Sequence, residues 1–429
     1  KRVDWAHYGG ITRSVDVETL KGITVLHNKF DYKLSKNSAK AEFEVDLYNA
    51  SDKKVTDRVK FYLNGEKVTE FRVSLEPREY KTLKTKSFKV ENVKLWDISA
   101  PNLYDVVIET ATDDLRDRVG FRKVEVKNKK IYLNGKSIKL LGVNRHEEVG
   151  DHGMAFPPQL MYRDVDIIKD LNCNTVRGSH YPNNPLFIDI LDEEGITFWS
   201  EIPVWGCGFS PETLADKRVI ERGLKMHQEM IKEYYNHPSI IIWGMHNEIR
   251  SDLEESLEMT KTYYSYLKEN GGNRIVTFAS NHSVTDISYE YCDVICINQY
   301  NGWYGKDYFS WDEDVEDILN YINSLGYGDK PVIMSEFGGA ALYGYHTFDN
   351  VKWTEEYQAN LLKYSIDCFI NKNKMSGTYV WQFCDIRTCE EMDINRAREF
   401  NNKGMLNEYR KPKLSYHAVK EIYGQINKK

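Results

Sequence analysis

The chain predicts a multidomain α and β protein: an immunoglobulin-like β-sandwich followed by a (β/α)8 TIM barrel. Three observations carry that expectation. Between residues 23 and 124, short runs of alternating polarity succeed one another with turn residues every ~8–15 positions, the rhythm of a small all-β sandwich. From residue 140 onward, eight apolar runs alternate with segments of helical period, a count and length that fit a barrel. Those runs end in carboxylates, amides and aromatic residues, at the place where a barrel gathers its functional groups.

Residues 1–19 show no core of their own. Residues 20–125 are assigned to the sandwich. Ala41-Glu42-Phe43-Glu44-Val45-Asp46-Leu47 alternates cleanly, as does Val59-Lys60-Phe61-Tyr62-Leu63 before the turn Asn64-Gly65. Lysine-rich outer positions need only solvent, so this part is read as structural. Residues 126–429 are assigned to the barrel, which opens with a hairpin over 130–138 turning at Asn134-Gly135. The expected barrel strands are 140–143, 174–177, 196–200, 240–245, 275–279, 294–298, 332–335 and 377–382. Helical spacing lies between them, as in Met161, Val165, Ile168 and Leu171, or Ile220, Leu224, Ile231 and Tyr235. Asn184-Pro185 opens a short helix that Gly195 ends, and Ser251-Asp252 is expected to cap one that stops at Gly271-Gly272.

Composition narrows the partners. A net charge of −7 over 429 residues gives no electrostatic reason for binding nucleic acid or an anionic membrane. No run approaches the ~20 apolar residues of a membrane span. Aromatic residues make up 13% of the chain, which suits a sugar binder, because rings stack on pyranose faces. All seven cysteines follow residue 172 at irregular spacings, so buried free thiols are expected rather than a disulfide framework, and with them a cytoplasmic location.

The expected strand ends carry the chemistry. Asn144, Arg145, His146 and Glu147 follow the first, His180 and Tyr181 the second, and Glu201 the third. Asn247 and Glu248 follow the fourth, Tyr300, Trp303 and Tyr304 the sixth, Glu336 the seventh, and Trp381 and Asp385 the eighth. Two carboxylates flanking a glycosidic bond are the minimum equipment for its hydrolysis. Alone, a carboxylate at a strand end is more often a cap or an ion-pair partner. Strands four and seven face each other across a barrel, so Glu248 and Glu336 form the candidate pair, able to approach the roughly 5–5.5 Å that a retaining mechanism requires, although spacing alone does not establish it.

The segments Gly142-Val143-Asn144-Arg145-His146-Glu147, Thr175-Val176-Arg177-Gly178-Ser179-His180-Tyr181-Pro182, Asn247-Glu248 and Ser335-Glu336-Phe337-Gly338 together match one family's signatures. On them the chain resembles glycoside hydrolase family 2, the β-galactosidase and β-glucuronidase group, over essentially its whole length. The resemblance implies a jelly-roll sugar-binding domain, then the sandwich, then the catalytic barrel. Residues 1–19 resemble only the last strand of that jelly roll, a remnant of a domain otherwise missing.

The resemblance further implies Glu336 as nucleophile, Glu248 as acid/base, and Asn247 as the residue that hydrogen-bonds the sugar 2-hydroxyl. Asn401-Asn402-Lys403-Gly404 resembles the Asn-x-Lys motif of β-glucuronidases, in which Asn401 and Lys403 would hold a C6 carboxylate. Outside this context such a tripeptide reads as a solvated loop; Arg396 and Arg398 stand nearby without a secure match. Asp4 and His146 match positions that contact sugar hydroxyls, Tyr300 one beside the nucleophile, Tyr304 one near the carboxylate, and Trp381 one under the sugar ring. His180 also matches a signature, with a supporting role as an equal alternative.

Glu201 is followed by Ile202-Pro203-Val204-Trp205 instead of the Glu-x-His that holds magnesium in β-galactosidases, so no metal and no cofactor are expected. The stretch 206–215 is short where some bacterial relatives carry a long active-site loop, which leaves the site open to bulky aglycones. The reading that follows is a retaining exo-β-glucuronidase, a homo-oligomer acting on small-molecule β-D-glucuronides. The alternatives are β-galacturonides, which differ at C4, a neutral β-galactoside, or a catalytically silent carbohydrate-binding relative. The presence of both Glu248 and Glu336 weighs against the last.

Overall fold

The computed structural model describes residues 3–206, 208–372, 374–389 and 396–428. Two antiparallel four-stranded sheets come first. One holds Ile23–Ser35, Ser38–Asn49, Tyr80–Lys84 and Phe88–Glu91; the other holds Val55–Leu63, Glu66–Leu75, Tyr104–Glu109 and Asp114–Val119. Strict alternation explains the layer between them: Ala41, Phe43, Val45 and Leu47 are buried while Lys40, Glu42 and Glu44 face outward. Phe43 stacks on Phe61 of the opposite sheet at 5.2 Å. Asn64 and Gly65 take φ of 48° and 79°, the left-handed pair that a two-residue hairpin turn demands. Asp46 breaks the alternation and is buried, because it accepts hydrogen bonds from Thr82 (2.7 Å) and from the Lys232 ammonium of the barrel (2.6 Å).

A three-stranded antiparallel sheet, Val124–Lys127, Lys130–Leu133 and Lys136–Ile138, then plugs the lower end of the barrel. Its Val124, Ile131 and Leu133 pack with Leu140, Trp199, Ile242 and Ile275 from inside the barrel. The barrel is a closed ring of eight parallel strands: β1 (Leu140–Arg145), β2 (Thr175–Gly178), β3 (Thr197–Glu201), β4 (Ile240–Asn247), β5 (Ile275–Ser280), β6 (Ile295–Asn298), β7 (Val332–Phe337) and β8 (Gly377–Val380). All eight residues of β4 are buried, as both faces of a barrel strand are covered. The helices are α1 (Pro158–Asp170), α2 (Pro185–Glu194), α3 (Pro211–Ala215), α4 (Lys217–Tyr234), α5 (Leu257–Asn270), α6 (Trp311–Ser324), α7 (Glu355–Ile366) and α8 (Leu414–Asn427). Asn184 caps α2 by accepting from the Leu186 N–H, and Gly195 closes it at φ 70°.

One expected cap is not there. The Ser251 hydroxyl donates to Asp286 at 2.5 Å instead of capping a helix, and α5 starts only at Leu257, after a single 3-10 turn at Glu254–Ser256. A long-range partner outcompetes the local one here. No strand is assigned among residues 3–22, yet Val3 and Trp5 are buried. Trp5 packs on His146 and His180, each at 5.4 Å, and on Trp205 at 6.0 Å, while the Ala6 N–H donates to the Arg387 carbonyl. This segment therefore forms part of the barrel mouth.

The two parts of the chain meet at the lower end of the barrel. The Arg122 guanidinium donates to the carbonyls of Pro238, Ile240 and Asn273 at 2.6–2.7 Å. Cys173, Cys292, Cys296, Cys368 and Cys384 are buried free thiols and Cys389 is a half-buried one; Cys207 lies outside the described residues. Among the described residues no helix is long and apolar enough to cross a membrane.

Candidate active site

The C-terminal ends of the barrel strands surround a cavity of about 660 Å³. Asp4, Glu248, Tyr300, Tyr304, Glu336, Trp381 and Lys403 line it; His146, Asn247 and Asn401 stand behind its wall. Behind its wall lies Arg177 of β2, fully buried, with all five donors used. Nε and Nη2 grip Glu201 at 2.9 and 3.1 Å. Nη1 reaches Glu336 (2.7 Å) and Asn144 (3.1 Å), and Nη2 reaches Asn247 (2.7 Å). Burial alone would lower the basicity of Arg177, but Glu201 and Glu336 outweigh it and hold the guanidinium above its ordinary pKa. A cation with two carboxylates satisfies the condition for burying charge at all. His180 Nδ1 meets the Glu201 carboxylate at 2.7 Å.

Glu336 and Glu248 have opposite surroundings. Glu336, in β7, has one oxygen paired with Arg177 and the other accepting from the Tyr300 hydroxyl at 2.7 Å. Burial, then Glu336 itself, holds the Tyr300 phenol well above its ordinary pKa, so it remains a donor. Glu248 follows directly on β4 with φ 49°, its N–H bonded to Ala279 O of β5. Its carboxyl meets no cation among the described residues and accepts only from Asn298 Nδ2, at 3.0 Å. Burial first, and then repulsion from Glu336, pushes Glu248 up to about 8. Beside it, Asn247 Oδ1 is held by Arg177 and Asn298, whereas its Nδ2 is buried without a partner among the described residues. That amide is a donor awaiting an acceptor.

The loop after β8 carries the second cluster. Lys403 is 2% exposed, and its ammonium donates to the Tyr304 hydroxyl at 2.7 Å. It also lies over the rings of Tyr304, Tyr300 and Trp303 at 4.7–5.7 Å. Among the described residues no carboxylate lies within ion-pair distance of it, and burial lowers its pKa. Burial would raise the Tyr304 phenol, but Lys403 and Arg396 bring it below its ordinary value. Arg396 pairs with Asp4 at 2.5 Å, and Asn401 donates to the same Asp4 oxygen at 3.1 Å. Asn401 thus reaches the cluster through Asp4, which burial raises against the pull of Arg396 and Lys403. Two cations face one carboxylate, an excess of positive charge suited to a second carboxylate. Arg398 turns away to Glu408.

A buried scaffold holds this loop. Lys413, fully buried, donates to Asp385 (2.8 Å), to Ala341 O just beyond β7 (2.7 Å) and to Asn402 O (3.1 Å). Asp385 in turn accepts from the Gly404 N–H at 3.0 Å. Trp381 presents one side to the cavity and stacks its ring on His180 at 5.2 Å. His146 hydrogen-bonds Tyr181 through Nδ1 at 3.3 Å; its Nε2 is buried without a partner among the described residues, and burial keeps it neutral, far below its ordinary pKa. Away from the cavity, Asp189, Asp192 and His237 are close enough to hold a metal. Both carboxylate oxygens of Asp192 are already engaged, one accepting from the Ser239 N–H and the other meeting His237 Nδ1.

Sequence reasoning quoted Arg177 and Asn298 without giving either a role. The signal for Arg177 was available: a charge inside a barrel strand, covered on both faces, must have buried partners. Trp5 and Trp205, which also line the cavity, had no comparable signal.

Known proteins share this fold. The family model "Glycosyl hydrolases family 2, TIM barrel domain" matches residues 124–428, and "Glycosyl hydrolases family 2" matches residues 23–122. A curated relative from Mus musculus, "Beta-glucuronidase", is 31% identical over 324 residues, covering 74% of this chain and 49% of that one. The chain therefore spans about half the length of the curated relatives it matches. Among solved structures, a GH2 beta-galacturonidase from Eisenbergiella tayi bound to galacturonate superposes with a TM-score of 0.93 at 34% identity, covering 99% of this chain and 76% of that one. A b-glucuronidase from Ruminococcus gnavus in complex with D-glucuronic acid gives 0.80 at 26% identity, covering 94% and 68%.

Proposed function

The chain belongs to glycosyl hydrolase family 2, and from that premise we propose that it is a retaining exo-β-uronidase that removes a terminal β-D-glucuronate. Glu336 is the nucleophile. Its oxygen forms a bond to C1 as the glycosidic bond breaks, and Glu248 gives its proton to the departing oxygen, which leaves as an alcohol. The glycosyl ester consumes the negative charge of Glu336, so the carboxylate that this transfer leaves on Glu248 no longer faces a like charge. Glu248, now a carboxylate, takes a proton from water as the water oxygen bonds to C1 and the C1–Glu336 ester bond breaks, which restores the Glu248 proton and frees Glu336. Arg177 keeps the nucleophile oriented, and the free Nδ2 of Asn247 meets the sugar 2-hydroxyl, a contact that strengthens in the oxocarbenium-like transition state.

The observation that carries the uronate is Lys403: a buried ammonium with aromatic neighbours and no carboxylate partner among the described residues. A C6 carboxylate would complete it, whereas a neutral hexose would leave a desolvated cation unmatched. A second reading, β-galacturonides, is favoured by the similarity to the Eisenbergiella tayi enzyme over nearly the whole chain. The test compares p-nitrophenyl β-glucuronide, β-galacturonide and β-galactoside for the wild type and Lys403→Ala. Loss of one charged hydrogen bond costs about 1.5–3 kcal/mol, so kcat/KM for the preferred uronide should fall roughly 10- to 150-fold more than for the galactoside. Equal losses on both, or a wild type that prefers the galactoside, would sink the uronate reading; the faster uronide decides the C4 epimer.

A further inference from the structure

The carboxyl of Glu248 accepts a single hydrogen bond, from Asn298, so its placing falls on the backbone that carries it. That backbone is anchored on both sides, and both anchors lead to one buried side chain that is not part of the cavity lining, Asp286. On one side the Glu248 N–H donates to Ala279 O at 2.9 Å, and the residue after Ala279 is Ser280, the last of β5. On the other, three residues past Glu248, stands Ser251. The hydroxyls of Ser251 and Ser280 donate to the same oxygen of Asp286, each at 2.5 Å. The second oxygen accepts from the Ser288 N–H at 2.7 Å. Asp286 is itself pinned, its N–H donating to His282 O at 2.8 Å and its carbonyl accepting from the Tyr321 hydroxyl of α6 at 3.1 Å. Two more contacts join the same segments: the Ile287 N–H donates to Ser251 O at 3.0 Å, and Asp252 pairs with His282 at 3.3 Å.

Three donors converge on Asp286, and no cation meets it among the described residues. Burying a carboxylate under those terms costs more than burying a neutral side chain would. What the carboxylate supplies is direction. An oxygen shared by two hydroxyls sets the Ser251 segment against the end of β5, and with it the turn at Glu248, whose φ is 49°. We infer that Asp286 is a positioning residue for Glu248: by gathering Ser251 and Ser280 it fixes the turn that aims the Glu248 carboxyl at the leaving oxygen. This rests on the reading of Glu248 as the acid/base and extends it to the group that holds it in place.

The test measures kcat/KM on the p-nitrophenyl and phenyl β-glycosides of the sugar the enzyme prefers. The proteins are the wild type, Ser251→Ala, Ser251→Thr, Asp286→Ala and Glu248→Gln. Nitrophenolate departs with little help from an acid, whereas phenolate needs its proton, so the phenyl-to-nitrophenyl ratio reports how well the acid is placed. A catalytic group misplaced by ~1 Å costs about 100-fold. The ratio is therefore expected to fall roughly 10- to 100-fold in Ser251→Ala and Asp286→Ala, and to recover in Ser251→Thr, which keeps the hydroxyl. A purely structural role lowers both rates by one factor and leaves the ratio alone. That result in Ser251→Ala, with a ratio that does fall in Glu248→Gln, overturns the positioning role only. An unchanged ratio in Glu248→Gln overturns the acid/base reading beneath it. Should Asp286→Ala fail to fold, the two Ser251 variants decide.

Discussion

The two ends of the barrel treat buried charge in opposite ways. At the lower end Arg122 and Arg274 point their guanidiniums at backbone carbonyls: Pro238, Ile240 and Asn273 for the first, Tyr235, His237, Ile240 and Gly271 for the second. These carbonyls lie at the junctions leading into β4 and β5, where ladder bonding runs out, and the cations saturate them. At the upper end the fold leaves polar groups short of partners: the Glu248 carboxyl keeps one hydrogen bond, Asn247 Nδ2 has none, and Lys403 has a phenol in place of an anion. The lesson is where satisfaction is withheld. Groups that the fold completes hold it together, and groups that it leaves incomplete are the ones a substrate would complete.

That contrast can be broken by substitution. The largest effect is expected at Glu336→Gln, which should lower turnover of any uronide by at least about 10⁴-fold. Retention of substantial activity would remove Glu336 as nucleophile. Next is Glu248: above about pH 8 it loses its proton, so kcat/KM should fall tenfold per pH unit there. Glu248→Gln should remove that limb along with roughly 10²–10⁴-fold of the rate on poor leaving groups. A limb that persists in the variant belongs to another group.

The same residue links to stability with a definite sign. Between the ordinary value of 4.5 and about 8 the folded state binds the Glu248 proton and the unfolded state releases it, so the contribution of Glu248 declines as pH rises through that window. At the lower end, Arg122→Met should cost about 2–4 kcal/mol in urea unfolding by orphaning three carbonyls, without altering the choice between uronide and galactoside. The smallest effect sharpens the contrast most. Lys403→Met removes a buried, anion-free ammonium and should raise stability by about 1–2 kcal/mol even as uronide turnover falls. A clear loss of stability would mean that the fold, and not a substrate, depends on Lys403.

Much of this was legible in the chain. Eight apolar runs with polar tips specify a barrel, because strands covered on both faces must be apolar and their ends must surface. Glu248 and Glu336 could be picked out for the same reason. What could not be read were contacts that depend on tertiary closure. Ser251 has every local mark of a cap, and only the arrival of Asp286, 35 residues on, diverts its hydroxyl. Asn401 carries its motif plainly, but its amide turns to Asp4, almost the whole chain away. The role of Arg177 rests on Glu201, Asn247 and Glu336, contributed by three different strands.

Lys413 gives the molecule a gauge. Its ammonium ties the carbonyl of Ala341, on the segment leaving the strand of Glu336, to the carbonyl of Asn402, beside Lys403. The place where a bond is cut and the place where an acid is gripped are thereby jaws on one rigid frame, set at a fixed span. Such a frame measures length as well as charge. An acid one carbon longer or shorter than a hexuronate carries the correct charge and still cannot fill both jaws at once.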